Sequence, residues 1–309
     1  MKIVSLLPSA TEIICELGLE DQLVGRSHEC NTIPSIRELP VVTDSSVKNT
    51  GNSLQIDKNI KSILKSGLSI FNVNVNVLAE LDPDIIFTQD HCEVCAVSLD
   101  DVQRAVNEYC GGRAKVISLS PVNLSEIFET FYTVGKALDV PKKAEELVEK
   151  LKSRLDIIRS TVIGESVKKV ACIEWIEPLM TGGNWIPELL EIAGGEYLLS
   201  EPGKHSPWIE WDDILKEDPD VILIMPCGYP IEQTMKEIHL LTQKTKWADL
   251  KAVQNGEVYI LDGNRYFNRP GPGVYESTRI LGEVLHPKLF KPVYHKDGWI
   301  HLSEQLEKA

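Results

Sequence analysis

The chain has 309 residues, with 32 Lys and Arg against 46 Asp and Glu and a formal net charge of −14. That length suits roughly two domains and a core that needs no staples. The acidity argues against nucleic acid or anionic lipid as a partner, and no apolar run approaches the ~18–20 residues that span a bilayer.

Taken in chain order, Met1-Lys2-Ile3-Val4-Ser5-Leu6-Leu7-Pro8 has one Lys and a short apolar run. Pro8 and Thr11-Glu12 interrupt it, and no small-residue cleavage site follows. It reads as a first strand running into a helix, with Ser9 as the cap and Glu12 completing a capping box. The chain therefore reads as cytoplasmic, or as periplasmic or extracellular if an export signal has been removed. Seven cysteines fit a reducing compartment, and their odd number forbids complete intramolecular pairing.

Short apolar strands then alternate with helical patterns, the signature of α/β architecture with parallel sheets. The first half offers strands at Lys2–Leu7, Gln22–Arg26, Asp84–Thr88 and Lys115–Leu119. Pro141 opens a long charged helix to about Ile163, since proline is well placed at a first helical position. Its apolar stripe is Leu147, Leu151 and Leu155. The second half offers strands at Lys169–Trp175, Glu196–Leu199, Asp220–Met225 and Glu257–Leu261. Residues 1–140 and 164–309 thus read as two α/β lobes joined by the helix 141–163. Leu81-Asp82-Pro83-Asp84-Ile85-Ile86-Phe87 repeats as Glu217-Asp218-Pro219-Asp220-Val221-Ile222-Leu223. That is either the mark of related lobes or a generic helix-to-strand junction. The tail Lys291–Ala309 has Trp299 among charges and reads as a segment that docks on the body or on a partner.

Ligands of open α/β sheets bind beyond the carboxyl ends of the strands, and unusual residues gather there. Ser27-His28-Glu29-Cys30 follows the second strand, and Gln89-Asp90-His91-Cys92-Glu93-Val94-Cys95 the third. In the second half come Glu174-Trp175, Met225-Pro226-Cys227-Gly228 and the run Asp262 to Pro272, with His205-Ser206-Pro207-Trp208 on a loop. If the sheets lie as drawn, these segments face one cleft between the lobes. Cys92 and Cys95 can bind metal, react as thiols or simply pack. Cys30 and Cys227 could complete a soft set of four, with His28, His91 and His205 as alternatives. Cys15, Cys110 and Cys172 read as structural.

Trp175, Trp185, Trp208, Trp211, Tyr229, Tyr266 and Phe267 crowd the second half, where some can stack on a large planar ligand and others are core. Arg265 and Arg269 can pair with a ligand anion or with Asp262 or Glu276. There is no nucleophile elbow, phosphate loop, zinc-protease helix or dinucleotide glycine fingerprint. An enzyme reading therefore rests on the thiols and on Glu29, Glu93 and Glu174.

Lys2-Ile3-Val4-Ser5-Leu6-Leu7-Pro8-Ser9-Ala10-Thr11-Glu12-Ile13, Leu17-Gly18-Leu19 and Leu23-Val24-Gly25 resemble the opening of class III, or cluster A, substrate-binding proteins. Trp247-Ala248-Asp249-Leu250-Lys251-Ala252-Val253 and Gly256-Glu257-Val258-Tyr259 are similar to the same family, and the likeness covers about residues 1–286. Ser27 to Cys30, Cys92 to Cys95, Met225 to Gly228 and Phe267 to Pro272 resemble a subgroup labelled cobalamin-binding. The resemblance implies two Rossmann-like lobes with parallel sheets on a single backbone helix, a ligand held between them, and an ABC importer as partner.

Three readings follow. The first is a binding protein for a corrinoid or other metal chelate, contacted by Ser9, His28, Glu29, Glu174, Trp175, Trp185, His205, Trp208, Tyr266, Phe267, Asn268 and Arg269. The second is a metal enzyme or metal carrier with zinc or iron on Cys30, His91, Cys92, Cys95 and Cys227, and Glu29 or Glu174 as acid or base. The third is an ordinary importer receptor whose export signal has been removed.

Overall fold

The computed structural model describes residues 1–46, 51–65, 70–89, 99–109 and 111–306. They divide into two compact units. The first comprises Met1–Gly51, Gln55–Pro121 and Ser125–Val148, and the second Asn52–Leu54, Val122–Leu124 and Glu149–Ala309.

In the first unit the strands are β1 (Ile3–Ser5), β2 (Leu23–Arg26), β3 (Thr43–Ser45), β4 (Phe71–Val73), β5 (Ile85–Thr88) and β6 (Lys115–Ser118). Four form a parallel sheet in the order β2-β1-β5-β6, while β3 and β4 pair antiparallel beside it. The central strands β1 and β5 are buried throughout, as a sheet covered on both faces requires. Val4, Leu6, Leu78, Ile86, Val102 and Val106 share one core cluster with Val42 and Phe71. That core explains β3 and β4, which the sequence reading missed. Each is three residues long, and Thr43-Asp44-Ser45 has no apolar alternation to betray it.

The second unit contains β7 (Lys168–Trp175), β8 (Met180–Thr181), β9 (Gly195–Tyr197), β10 (Val221–Ile224), β11 (Val258–Leu261) and β12 (Trp299–His301). The sheet order is β12-β11-β10-β7-β8. The eight residues of β7 pair in parallel with β9 through their first half and antiparallel with β8 through their second. The tail supplies β12 as an antiparallel edge strand. Glu283, 1% exposed, fixes it by accepting from the backbone of Val293 (3.0 Å) and Tyr294 (3.1 Å) and from Trp299 Nε1 (2.9 Å). The tail thus docks on the body.

The eight strands expected from sequence are all present, each within one or two residues at its ends. The long helix runs Pro141–Thr161. Its buried stripe is Ala144, Val148, Leu151, Leu155 and Ile158. Steps of four and three hold one face toward the core, whereas the expected start of the stripe, Leu147, is only half-buried. Residues through Val148 pack with the first unit, and those from Glu149 with the second. The short segments 52–54 and 122–124 are held in the second unit by carboxylates. Glu237 accepts from Ser53 N at 2.7 Å and Glu188 from Leu124 N at 2.6 Å. Among the described residues no helix is long and apolar enough to cross a membrane.

Candidate ligand-binding faces

In the first unit the site grows from the ends of β1 and β2. The helix after β1 begins at Pro8, with Leu7 extended at the cap and no side-chain cap bond. This corrects the assignment of Ser9 as cap. Proline's fixed φ starts the helix one residue earlier, and Ser9 becomes its buried second residue. Thr11, one turn on, lies 2.8 Å from Ser5 Oγ and 3.1 Å from Cys30 Sγ. Cys30 is 2% exposed, so its sulfur is a covered packing atom in this arrangement. Arg26 staples the turn through Ser27 O (3.1 Å) and Arg37 O (2.8 Å).

His28 follows. Its backbone N–H donates to Thr43 Oγ1 at 3.2 Å, and its Nδ1 lies 2.8 Å from the same oxygen. Thr43 in turn donates to Ser27 Oγ at 3.1 Å, and Ser27 Oγ also accepts from Glu29 N at 3.2 Å. Thr43 was not foreseen. It lies fifteen residues beyond His28 on a strand that hydrophobic periodicity could not show, and the only usable signal was its β-branched side chain before Asp44.

In the second unit β7 delivers Glu174 and Trp175. Glu174 Oε2 accepts from Ser206 Oγ (2.6 Å) and Gly183 N (3.3 Å). Gly183 lies so close to the next loop that a Cβ would fall 2.6 Å from Ser206 N and 2.7 Å from Lys204 O. Asn184 N donates to Lys204 O at 2.7 Å and Gly203 N to Asn184 O at 2.9 Å. Tyr197 Oη donates to Gly182 O. This zipper fixes residues 203–206 and leaves His205 exposed, with Trp208 at 55% exposure. Oε2 of Glu174, the residue read as a candidate acid or base, is engaged in holding the loop.

The remaining predicted residues of this unit are more covered. Trp175 packs edge-on against buried Tyr229 at 5.3 Å. Burial pushes the Tyr229 phenol up, helped by the charge of Glu237. Cys227 is half-buried, with its N–H on Glu174 O at 2.9 Å. Trp185, Tyr266, Phe267 and Arg269 are buried. In the loop after β11, Asp262 accepts from Arg265 N at 2.7 Å. Arg265 Nη1 donates to Asp297 at 3.0 Å, and Tyr266 Oη to the same carboxylate at 2.6 Å. Asn268 Nδ2 donates to Gly263 O, and Arg269 Nε to Asn264 O at 2.8 Å. So Arg265 takes Asp297, a partner the sequence reading did not consider, and Arg154 lies 3.7 Å from Glu276. Burial holds the Asp262 carboxyl above its ordinary value.

Burial also raises the thiols read as structural, Cys172 strongly and Cys15 to about 12. His91, Cys92, Cys95 and Cys110 lie outside the described residues. Among the described residues, no three His, Cys, Asp or Glu side chains gather to hold a metal ion.

Two α/β units, each built on a parallel sheet with polar and aromatic groups beyond its strand ends, define a class of binding protein. The family model described as "Periplasmic binding protein" matches residues 3–264, and the chain belongs to that family. It is a substrate-binding protein of the ABC-transporter type, with the class III fold that the resemblance implied. It is 27% identical over 300 residues to the uncharacterised ABC transporter substrate-binding lipoprotein YvrC of Bacillus subtilis, covering 94% of this chain and 81% of that protein. The periplasmic vitamin B12-binding protein BtuF of Vibrio cholerae is 21% identical with a TM-score of 0.64, over 92% of this chain and 96% of that one. The haem complex of IsdE from Staphylococcus aureus is 18% identical with a TM-score of 0.68, over 92% and 98%. At these identities the two structures establish the fold alone.

Proposed function

We propose that the chain binds a corrinoid or another metal-chelate ligand at its strand-end faces and delivers it to an ABC importer. The observation that carries this is Trp208. A large indole more than half exposed, three residues after an exposed His205, is held on a loop that two backbone hydrogen bonds with Asn184 and the Glu174–Ser206 bond fix in place. A rigid exposed aromatic offers a stacking surface whose ordering cost has already been met by folding. Trp175, half-buried against Tyr229, offers a second surface at the end of β7. The printed names of relatives favour the same chemistry, since one binds vitamin B12 and another is complexed with haem.

The test is a titration followed by tryptophan fluorescence, with aquocobalamin and ferric haem as probes. One of them binds saturably, and Trp208→Ala weakens that binding about tenfold, the size of a lost stacking contact of ~1.4 kcal/mol. Binding of neither probe, or full affinity in Trp208→Ala, contradicts the reading.

A further inference from the structure

A ligand that meets the strand-end faces meets their charges, so the engagement of each cation there bears on what binds. A free carboxylate is best received by the two-pronged fork of an arginine. Among the described residues, the guanidinium groups at these ends are already engaged. In the first unit Arg26, the last residue of β2, gives Nη1 to Ser27 O at 3.1 Å and Nη2 to Arg37 O at 2.8 Å. In the second unit Arg265 gives Nη1 to both oxygens of Asp297 at 3.0 Å. Arg269 is 5% exposed and gives Nε to Asn264 O at 2.8 Å. The carboxylate at the end of β7 is held differently. Glu174 accepts from Ser206 Oγ and Gly183 N, neutral donors that fix a carboxylate without cancelling its charge. On the loop that presents Trp208, exposed Lys204 stands between exposed Glu201 and Glu210, so the loop is itself acidic. The net charge of −14 adds a background of the same sign.

We propose that these faces select by charge: the ligand they take is a metal chelate whose rim is neutral or cationic, carrying amides or esters rather than free carboxylates. A carboxylate on the ligand has to compete with Asp297 for Arg265, and success leaves Asp297 without its partner. Seated near Trp175, it also approaches Glu174. Two like charges ~5 Å apart in water-like surroundings repel by enough to lower affinity about fourfold, and two such encounters together exceed about tenfold. An amide in the same place meets neither repulsion. Asp297 therefore sets the preference of the second unit, because it closes the fork that would otherwise take an anion. The inference narrows the ligand reading above to one chemical class and rests on that reading.

The experiment titrates the full chain with two matched pairs of probes. One pair is cyanocobalamin and its derivative with a single side-chain amide hydrolysed to a carboxylic acid. The other is ferric haem dimethyl ester and ferric haem. Within a pair the macrocycle and metal are the same and only the rim charge differs. For whichever macrocycle binds, the member without free carboxylates binds about tenfold tighter at low salt. That margin shrinks severalfold at about 1 M salt, where the screening length falls to ~3 Å. Asp297→Asn keeps an acceptor for Tyr266 but frees the charge of Arg265, and it narrows the low-salt margin to about threefold. A carboxylate-bearing member that binds equally well or better overturns the inference and leaves the ligand reading standing. A margin indifferent to salt also overturns it, since shape rather than charge then discriminates. Binding of none of the four probes removes the ligand reading, and the inference falls with it.

Discussion

Asp82-Pro83-Asp84 in the first unit and Asp218-Pro219-Asp220 in the second share a backbone turn and a carboxylate bond. Each first aspartate ends a helix in the left-handed region, at φ 43° and 42°. Each second aspartate accepts from the backbone N–H that opens the neighbouring strand, Asp84 from Lys2 at 2.7 Å and Asp220 from Lys169 at 2.9 Å. Each then leads into four buried residues. Among the described residues, the carboxyl ends of the two sheets show no such likeness. The β2 end carries the His28–Thr43 network, and β7 and β10 carry Glu174, Trp175 and the segment Met225 to Tyr229. The amino ends repeat because they solve one folding problem twice, while the carboxyl ends differ where we propose that the chain meets its ligand.

Substitutions can break or sharpen that contrast. The largest effect is expected where the second unit has something the first lacks, its tail strand. Glu283→Ala strands three N–H donors and Arg279, which lies 3.3 Å from the carboxylate. It should cost about 3–5 kcal/mol in urea unfolding. Gly263→Ala comes next. An added Cβ would press on the backbone carbonyls of Pro226 and Met225, which cannot yield as a side chain can, and the expected loss is about 3 kcal/mol. Its first-unit counterpart, Gly25→Ala, meets Leu81 Cδ1 and Val42 Cγ2 at 2.7 and 2.9 Å. Those tips can rotate, so a loss of about 1–2 kcal/mol is expected. Equal losses at the two glycines would show that backbone crowding does not set the second face apart.

Asp84→Asn and Asp220→Asn should each cost less than about 1 kcal/mol, because both junctions are partly solvated and screened, and neither should alter ligand affinity. A change in affinity from either would erase the distinction between the two strand ends. The smallest effect is a pH dependence. Burial first, and the charge of Lys168 second, hold His286 below its ordinary value. The unfolded chain then binds more protons, so stability is full above the unfolded value of about 6.5 and falls as pH drops from there toward the folded value. His286→Gln should flatten that slope in denaturant melts, and an unchanged slope would reject the assignment.

The fold was legible in the sequence wherever a buried strand left a continuous apolar run, as at Ile85–Phe87 and Val221–Leu223. It was not legible in β3, β4, β8 and β12, which are two or three residues long and take their register from tertiary pairing. Ser9 shows two local rules in competition: a serine suited to capping lost to a proline that starts helices. The candidate site was read from the sequence as a set of segments, because strand ends are where α/β proteins bind. Its wiring was not, since Thr43 reaches His28 across fifteen residues and Ser206 reaches Glu174 across thirty-two, and no periodicity spans those gaps.

The most direct test of the contrast between strand ends is hydrogen–deuterium exchange with and without saturating aquocobalamin or ferric haem, whichever binds. Protection should appear at residues 27–30 and 203–208 and be absent at 82–85 and 218–221. Protection concentrated at the two aspartate junctions, with the segments around His28 and Trp208 unchanged, would contradict it.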